Sequence, residues 1–359
     1  MWSKVIRGII YLLLVLLIAA GAYSYLYLHT PIGNLIIDQF STIPSTTTIY
    51  PQNLTTITQA TTTVPTTIAG GNSSLYEYAL GLINNDRAKF GLGPVTLSNE
   101  PSGQQHSESM LQNNYFSHWD QYGMKPYMRY TLLGGTQSVS ENIAYKTSSY
   151  CTLLLCGGDL NPRSAIEGME YSMMYNDSLC CNNGHRNNIL DPSHNQVSIG
   201  IAYNSSTIYF TEDFLDSYIL WNGNSPGFSN GAVYLSGTLS GGYSLSSVFV
   251  TYDRPVSNMS RAQLNSTFEY GYGQNIAGVV QNSNYYYSGL TTIVADQYTQ
   301  APGSFTVSFN MQNLISKNGA GEYTVLVWLN KTNTNMSFIG GSYTIFIGND
   351  GKAFVPSSV

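Results

Sequence analysis

The sequence has 359 residues, of which 43% are hydrophobic and only 9% are charged, and its formal net charge is −6. Typical soluble domains have roughly 25% charged residues. Because nucleic-acid binding needs clustered Lys and Arg to neutralise phosphates, this composition excludes a nucleic-acid-binding protein. An aromatic content of 13% excludes a charge-driven disordered chain, and the length is enough for two ordinary domains.

The amino-terminal segment has the pattern of a membrane anchor. Lys4 and Arg7 precede residues 8–28, a run of 21 residues without a charge. A helix of that length spans about 31 Å, close to the roughly 30 Å of a bilayer's hydrocarbon core, and the basic flank predicts a cytoplasmic N-terminus. We therefore predict that residues 1–29 form a cytoplasmic N-terminus and a single-pass transmembrane anchor in the cell membrane, with the domains facing outside. The alternative is a signal peptide cleaved near Ala20, which also places the rest of the chain outside.

The next segment, residues 30–72, has the composition of a stalk. Residues 41–70 contain twelve Thr, three Pro and no charged residue. Such a stretch offers too little apolar surface to offset the entropy lost on ordering. We therefore predict an extended Thr/Pro-rich stalk between the membrane and the first ordered domain.

An ordered domain with mixed secondary structure is predicted over residues 73–221. Apolar residues recur at helical spacing from Ser74 onward, and the turn at 91–94 ends that helix. The same spacing predicts further helices over 100–115, 126–133 and 162–175. Alternating apolar residues at 197–203 and 208–214 predict an antiparallel hairpin with one buried face. Helices combined with an antiparallel sheet predict an α+β domain.

A second domain of a different class is predicted over residues 225–359. A cluster of turn residues at 222–227 precedes it. Short apolar-rich runs separated by turns then predict strands over 231–240, 246–252, 275–281, 289–295, 304–311, 322–329 and 342–348. This pattern, without a long helical stretch, indicates an all-β, sandwich-like domain.

The side chains suited to acid–base or metal chemistry are concentrated in the first domain. Four of the five histidines and all four cysteines lie between residues 106 and 194. They fall in or near five short motifs: H-S-E-S-M at 106–110, N-Y-F-S-H at 114–118, E-N-I-A at 141–144, G-H-R-N-N-I-L at 184–190, and the hairpin end F-T-E-D-F at 210–214. The order and spacing of these motifs resemble those of the CAP superfamily, also called SCP domains (cysteine-rich secretory, antigen 5 and pathogenesis-related proteins). The resemblance is to its prokaryotic branch and covers residues 75–215.

The resemblance implies an α-β-α sandwich with a central cleft lined by two histidines and two acids, which in some members holds a divalent metal such as zinc. His118 and His185 match the histidines, and Glu141 matches the first acid. These three would form a metal-ligand set with one open position. Ser172 stands where the second acid is expected, so Glu212, which replaces the family's Gln, is the substitute candidate for the cleft.

Other polar residues of these motifs are interpreted as support for the cleft rather than as ligands: His106, Asn142, Arg186 and Asn188. Simpler interpretations of the two cleft histidines remain open, with His118 as a hydrogen-bonded loop residue and His185 as part of a helix cap. His194, which follows Pro192 closely, is predicted to be a surface turn residue.

The cysteines Cys151, Cys156, Cys180 and Cys181 favour two disulfide bonds in an extracellular chain. A bridge between the adjacent residues Cys180 and Cys181 would be strained. We therefore predict that each pairs with Cys151 or Cys156, which would tie the loop at 145–161 to the loop before His185. A four-thiolate metal site is the alternative.

The motifs of nucleophilic hydrolases and phosphate-binding loops are absent from the sequence, and no catalytic residue is assigned. We favour a cell-surface protein that binds an extracellular lipid, glycan or protein through the cleft of His118, Glu141, His185 and Glu212. The alternative is a metal-dependent extracellular hydrolase with a metal-bound water and Glu141 or Glu212 as general base.

Overall fold

The structure is a computed structural model that describes residues 72–151 and 156–354. The predicted anchor and most of the predicted stalk lie outside these residues. In the described ranges the helices are α1 (Asn72–Lys89), α2 (Ser102–Asn113), α3 (Pro126–Leu132), α4 (Pro162–Tyr175), α5 (Ser178–Cys181), α6 (Gly184–Ile189), α7 (Arg261–Leu264) and α8 (Gln312–Asn318). None of these helices is both long and apolar enough to cross a membrane.

The strands of the first region form a four-stranded sheet and a small hairpin. They are β1 (Thr96–Leu97), β2 (Ser138–Thr147), β3 (Ser149–Cys151), β4 (Cys156–Gly158), β5 (Gln196–Tyr203) and β6 (Thr207–Asp216). The order in the larger sheet is β1-β5-β6-β2, with β1 parallel to β5 and the other pairs antiparallel, and β3 pairs with β4. The predicted hairpin is confirmed as β5 and β6, and β2 is an edge strand.

Helices pack on both faces of the four-stranded sheet. On one face, α1 and α4 bury apolar side chains such as Ile83 and Ile166 against Phe210. On the other face, Met110 of α2 packs with Ile143 and other apolar residues. This arrangement confirms the predicted mixture of helices and antiparallel strands.

Two glycines allow α2 to approach the sheet closely. A Cβ atom at Gly200 of β5 would collide with the carbonyl group of Gly103 in α2. Because neither residue has a side chain, the helix that carries His106 lies directly on the strand. Larger residues here would push His106 away from the sheet.

The second region is rich in β-structure, as predicted. Its strands are β7 (Ile219–Trp221), β8 (Gly227–Ser229), β9 (Ala232–Leu239), β10 (Tyr243–Asp253), β11 (Gln274–Val280), β12 (Thr291–Val294), β13 (Gln297–Ala301), β14 (Ser304–Asn310), β15 (Gly321–Lys331), β16 (Ser337–Ile347) and β17 (Ala353–Phe354). They form a six-stranded sheet, β12-β11-β10-β15-β16-β17, and a five-stranded sheet in which β13-β14-β9-β7 is extended by β8 on β9. Buried side chains of both sheets, among them Val250, Val307 and Val325, form one hydrophobic core.

The boundary between the two regions differs from the sequence prediction in one detail. Residues 219–221 were expected at the end of the first domain, but β7 pairs with β9 and extends the five-stranded sheet of the second region. The turn at 222–227 therefore lies between two strands of one sheet rather than between two domains.

The connection between β10 and β11 lies against the first region. This segment, residues 254–273, contains only one short helix, α7. The side chain of Leu264 is buried with Met110, Tyr115 and Ile143 of the first region. The two regions therefore share this part of their hydrophobic interior.

Candidate functional site

Glu141 is the centre of a buried polar cluster on one face of β2. Its Oε1 atom lies 2.8 Å from Nδ1 of His118, and its Oε2 atom accepts a hydrogen bond of 2.6 Å from Nη2 of Arg129. His118 lies in the loop after α2, and Arg129 projects from α3. Nη1 of Arg129 also donates to the carbonyl of His118, at 2.7 Å. The guanidinium thus fixes the loop that carries the histidine.

The charges of this cluster determine the protonation of His118. Burial raises the pKa of Glu141 to about 7, while Arg129 acts in the opposite direction. Burial, together with the nearby His185 and Arg129, lowers the pKa of His118 to about 3. The imidazole is therefore neutral at physiological pH. When Glu141 is ionised it can only accept, so Nδ1 of His118 carries the proton and Nε2 keeps a lone pair.

Two further buried groups complete this cluster. Nε2 of His106 lies 2.9 Å from the carbonyl oxygen of Ser117 and 3.8 Å from Oε1 of Glu141. Burial lowers the pKa of His106 well below its usual range, so its Nε2–H donates to Ser117. Asp213 is the cross-strand neighbour of Glu141, and burial and Glu141 raise the pKa of Asp213 well above its usual range.

Asn142 organises a second cluster on the opposite face of β2, because successive side chains of a strand point to opposite faces. Nδ2 of Asn142 donates to the carbonyl of His185 and to Oε2 of Glu212, both at 3.1 Å. Nδ2 of Asn188 donates to Oδ1 of Asn142 at 2.9 Å. Asn142 and Asn188 therefore join the loop around His185 to the sheet.

Glu170 of α4 belongs to this second cluster and was not assigned from the sequence. It is buried beside Glu212, and burial and the neighbouring Glu212 raise its pKa well above the usual range. Burial also raises the pKa of Glu212. By contrast, Ser172 is exposed and its hydroxyl bonds to Gly168 within the helix. Glu170 follows the buried Ile166 by one helical turn, and this acid in an apolar stripe is the signal that could have identified it.

His185 is held by a neighbouring acid. Nδ1 of His185 lies 2.6 Å from Oδ1 of Asp177, whose Oδ2 accepts from the backbone N–H of Arg186. The Arg186 side chain donates to the carbonyl of Met174 at 3.3 Å, so it joins the loop to α4. Within the described ranges, one group of potential metal ligands has all its donor atoms within 4.8 Å of one another: Asp177, Cys180, Cys181 and His185.

The cysteines of this group do not form a disulfide bond with each other. The sulfur atoms of Cys180 and Cys181 are in contact, but the Cα atoms of these neighbours are 3.8 Å apart, closer than in ordinary disulfides. Cys151 and Cys156 are partners in the backbone register of β3 and β4. The predicted disulfides between the two cysteine pairs stay a prediction.

The four residues predicted for one cleft lie in two clusters. His118 and Glu141 lie on one face of β2, and Glu212 lies on the other, near His185. The two clusters interact around this edge strand, because His185 contributes to the low pKa of His118. Metal binding by His118, Glu141 and His185 together stays a prediction.

The prediction for His194 was wrong. Its side chain is buried, its Nδ1 lies 2.8 Å from Oδ1 of Asp216, and its ring stacks on Phe214. The residue follows a turn, but Asp216 at the end of β6 is a partner for its Nδ1, and the stacking on Phe214 buries the ring.

Tyr270 of the 254–273 segment lies directly over the first cluster. Its ring centroid is 4.7 Å from that of His118, and its hydroxyl oxygen accepts a hydrogen bond from the backbone N–H of Glu141. Tyr270 is 129 residues from Glu141 in sequence. No local sequence pattern indicates this contact.

Comparison with known proteins identifies the first region. The CAP family model, described as the cysteine-rich secretory protein family, matches residues 80–214. Among solved structures, an extracellular protein containing an SCP domain from Bacillus anthracis str. Ames is 20% identical, with a TM-score of 0.30, over 39% of this chain and 40% of that chain. The CAP domain of enterococcal PrgA is 14% identical, with a TM-score of 0.28, over 44% of this chain and 65% of that chain.

This chain therefore spans less than two thirds of either solved chain. No protein with a curated description matches it. The family match covers the four-stranded sheet, α2 to α6 and both polar clusters, and it agrees with the five sequence motifs. Residues 80–214 are a CAP domain of the cysteine-rich secretory protein family.

Proposed function

We propose that this protein is anchored in the cell membrane and binds an extracellular ligand through its CAP domain. The match of residues 80–214 to a family described as secretory supports a position outside the cell. The uncharged run at residues 8–28 supports a membrane anchor. The binding site is the edge of β2 around His118 and Glu141, and the ligand is a lipid, a glycan or a protein.

The hydrogen bonding of Glu141 is the observation that carries this proposal. A general base needs a carboxylate placed to take a proton from a reacting water. One oxygen of Glu141 is bonded to His118 and the other to Arg129. Glu212, the other candidate base, is buried beside Glu170 and Asn142. These contacts favour binding over hydrolysis, with Nε2 of His118 available to accept a hydrogen bond from the ligand.

A structural zinc ion fits the donor group next to His185. Two thiolates, an imidazole and a carboxylate are ligands that zinc prefers, at about 2.0–2.3 Å from the metal. Donor atoms already within 4.8 Å of one another need only small shifts to reach such a geometry. Four protein ligands complete a tetrahedral shell, which is typical of structural zinc, whereas catalytic zinc keeps an open position. Zinc here would hold the loop of residues 177–185 in place.

The test compares binding with turnover in the full chain, kept in detergent micelles. The probes are lipid vesicles, a glycan array and proteins of the cell surface, and the turnover assays use ester, phosphoester and peptide substrates with added zinc. We expect saturable binding that His118→Ala weakens at least about tenfold, as for the loss of one buried polar contact, and that Tyr234→Phe on the exposed surface of β9 leaves unchanged. Zinc-dependent turnover that is lost in His118→Ala would instead establish the hydrolase.

A further inference from the structure

We infer that the CAP domain has a groove for an extended peptide, and that residues 265–272 of the same chain occupy this groove as a tethered ligand. The inference rests on the proposed binding function and specifies its ligand class. The groove is formed by residues 114–127 and by Glu141 of β2. An external peptide would have to displace the chain's own segment from it.

The groove binds the main chain of the segment at every second residue. The hydroxyl of Ser117 donates to the carbonyl of Thr267 at 2.6 Å, and Nε1 of Trp119 donates to the carbonyl of Glu269 at 2.9 Å. Nζ of Lys125 donates to the next carbonyl in this series, that of Gly271, at 2.8 Å. A spacing of two residues is that of an extended strand. Because the acceptors are backbone carbonyls, this part of the recognition suits any extended peptide.

Two aromatic side chains of the segment, Tyr270 and Tyr272, contact the CAP domain, whereas Phe268 is exposed. Tyr270 lies over His118 and accepts a hydrogen bond from the N–H of Glu141. The ring of Tyr272 packs on Tyr127, with centroids 4.5 Å apart. These contacts select aromatic residues at two alternate positions, which adds sequence preference to the main-chain recognition.

Two of the three donors, Ser117 and Lys125, are buried when the segment is in place, whereas Trp119 is partly exposed. Ser117 has no exposed surface and Lys125 is 8% exposed. Without the segment, Ser117 would lose an acceptor for its hydroxyl and Lys125 one of its two hydrogen-bond acceptors, the other being Asp253 at 2.7 Å. In an empty groove water would take the place of these acceptors, so the segment and a replacement peptide compete for the same donors.

Because the segment is attached to the same chain, it would lower the apparent affinity of the groove for an external peptide. A ligand attached by a short linker has an effective concentration in the millimolar range. A tethered peptide with an intrinsic Kd of about 10 µM would therefore weaken the apparent affinity of an external copy about 100-fold. A substitution that releases the segment would increase the affinity for the external peptide.

The test uses the full chain and a fluorescent synthetic peptide with the sequence of residues 263–273. We expect Tyr270→Ala to bind this peptide at least about tenfold more tightly than the unaltered chain, because the tethered competitor is weakened. Tyr234→Ala, which removes an exposed tyrosine from β9, is the matched control and should behave as the unaltered chain. A scrambled peptide should not bind. Equal binding by all three proteins, or no binding by any, would overturn the inference.

Hydrogen exchange in the milder variant Tyr270→Phe provides a second measurement that does not depend on how Tyr270→Ala folds. The amide of Glu141 bonds to Tyr270, and the amide of Phe116 bonds to Oδ1 of Asn265 at 2.9 Å. The amide of Glu141 loses its acceptor directly in this variant, so the amide of Phe116 is the informative one: if the segment leaves the groove as a unit, Phe116 should also exchange faster, while amides of β15 are unchanged. Faster exchange at Glu141 alone, or throughout the chain, would indicate an ordinary domain contact and would contradict the inference.

The two proposals can fail separately. Peptide binding to Tyr270→Ala without binding of any vesicle, glycan or cell-surface protein would leave the groove intact and remove the proposed function. Binding of an external ligand that the synthetic peptide does not reduce would support the function and remove the tethered-ligand inference.

Discussion

On one face of β2, the buried carboxylate of Glu141 lies between Arg129 and His118; on the other face, Glu212 lies beside a second acid, Glu170. Both faces bury acids completely. Among the residues that the structure describes, only the first face has a guanidinium, that of Arg129, in contact with its acid. Burial raises the pKa of all three acids, and on the first face Arg129 opposes that rise. The comparison therefore shows that the neighbours of a buried acid modify an effect that burial dominates.

The largest expected effect is the loss of the cation on the first face. Arg129→Met should reduce the free energy of unfolding by about 3–5 kcal/mol at pH 8, because a buried carboxylate loses its charged partner. Near pH 5 the cost should be smaller, since the raised pKa of Glu141 allows it to be neutral. Denaturant unfolding at both pH values measures this. Arg163→Met, whose exposed guanidinium lies over Tyr78, is the control and should cost less than about 1 kcal/mol. An equal loss in the free energy of unfolding for the two variants would contradict the role given to Arg129 as the partner of Glu141.

A metal ion would bring positive charge to the second face. Zinc at 100 times its Kd should stabilise the chain by about 2.7 kcal/mol. His185→Ala should abolish this gain, because it removes a donor from the group around Asp177. His118→Ala distinguishes the two candidate sites: it should retain the zinc effect if the Asp177 group binds the metal, and lose it if His118, Glu141 and His185 bind it together. Thermal unfolding with and without zinc gives the answer.

The cysteines offer an independent check on that metal group, because zinc and disulfides compete for the same sulfurs. Intact-mass analysis of protein from the cell surface, without reduction, should find Cys180 and Cys181 as free thiols if they hold zinc. Bridges to Cys151 and Cys156 would exclude zinc and confirm the disulfide prediction. Reducing such bridges should then cost about 2–5 kcal/mol.

The acid pair should show the smallest and most pH-dependent effect. The pKa values of Glu170 and Glu212 are raised in the folded state, so the folded protein binds protons more tightly than the unfolded chain. Stability is therefore greatest at acidic pH and falls as the pH rises above the ordinary value for Glu. Glu170→Gln should flatten this decline and raise the free energy of unfolding at pH 8 by about 1–3 kcal/mol, the scale of removing a buried polar group that lacks a partner. Glu167→Gln, on the exposed face of the same helix, is the control and should change neither the pH profile nor the stability at pH 8. An unchanged pH profile in Glu170→Gln would contradict the interaction between Glu170 and Glu212.

The sequence motifs predicted the helices, the β5–β6 hairpin and the family of the first region because these depend on local spacing. They also pointed to Glu141 and His118, which lie within motifs. Glu170 was missed because the expected acid position, Ser172, is two residues away and faces solvent. Tyr270 could not be predicted, because it reaches Glu141 only through the packing of the second region on the first.

The sequence also did not predict that Glu141 and Glu212 lie on opposite faces of the sheet. Alternation along β6 correctly places Glu212 on the face of Phe210 and Phe214, all three of which are buried. The sequence did not show that Glu141 pairs in register with Asp213 rather than with Glu212. A register difference of one residue moves a side chain to the other face, and this information resides in the pairing of distant strands.

The protonation of His118 is the most direct test of the proposed site, because burial, His185 and Arg129 lower its pKa and the hydrogen bond to Glu141 determines its tautomer. Nitrogen NMR of the imidazole, followed from pH 8 to pH 3 in the full chain, reports both the charge and the tautomer. We predict a ring that stays neutral down to about pH 4, consistent with a pKa lowered to about 3, and that has its proton on Nδ1 above about pH 7, where Glu141 is ionised. A ring that becomes protonated near its usual pKa of about 6.5 would contradict the charge-balanced cluster on which the proposed binding site depends.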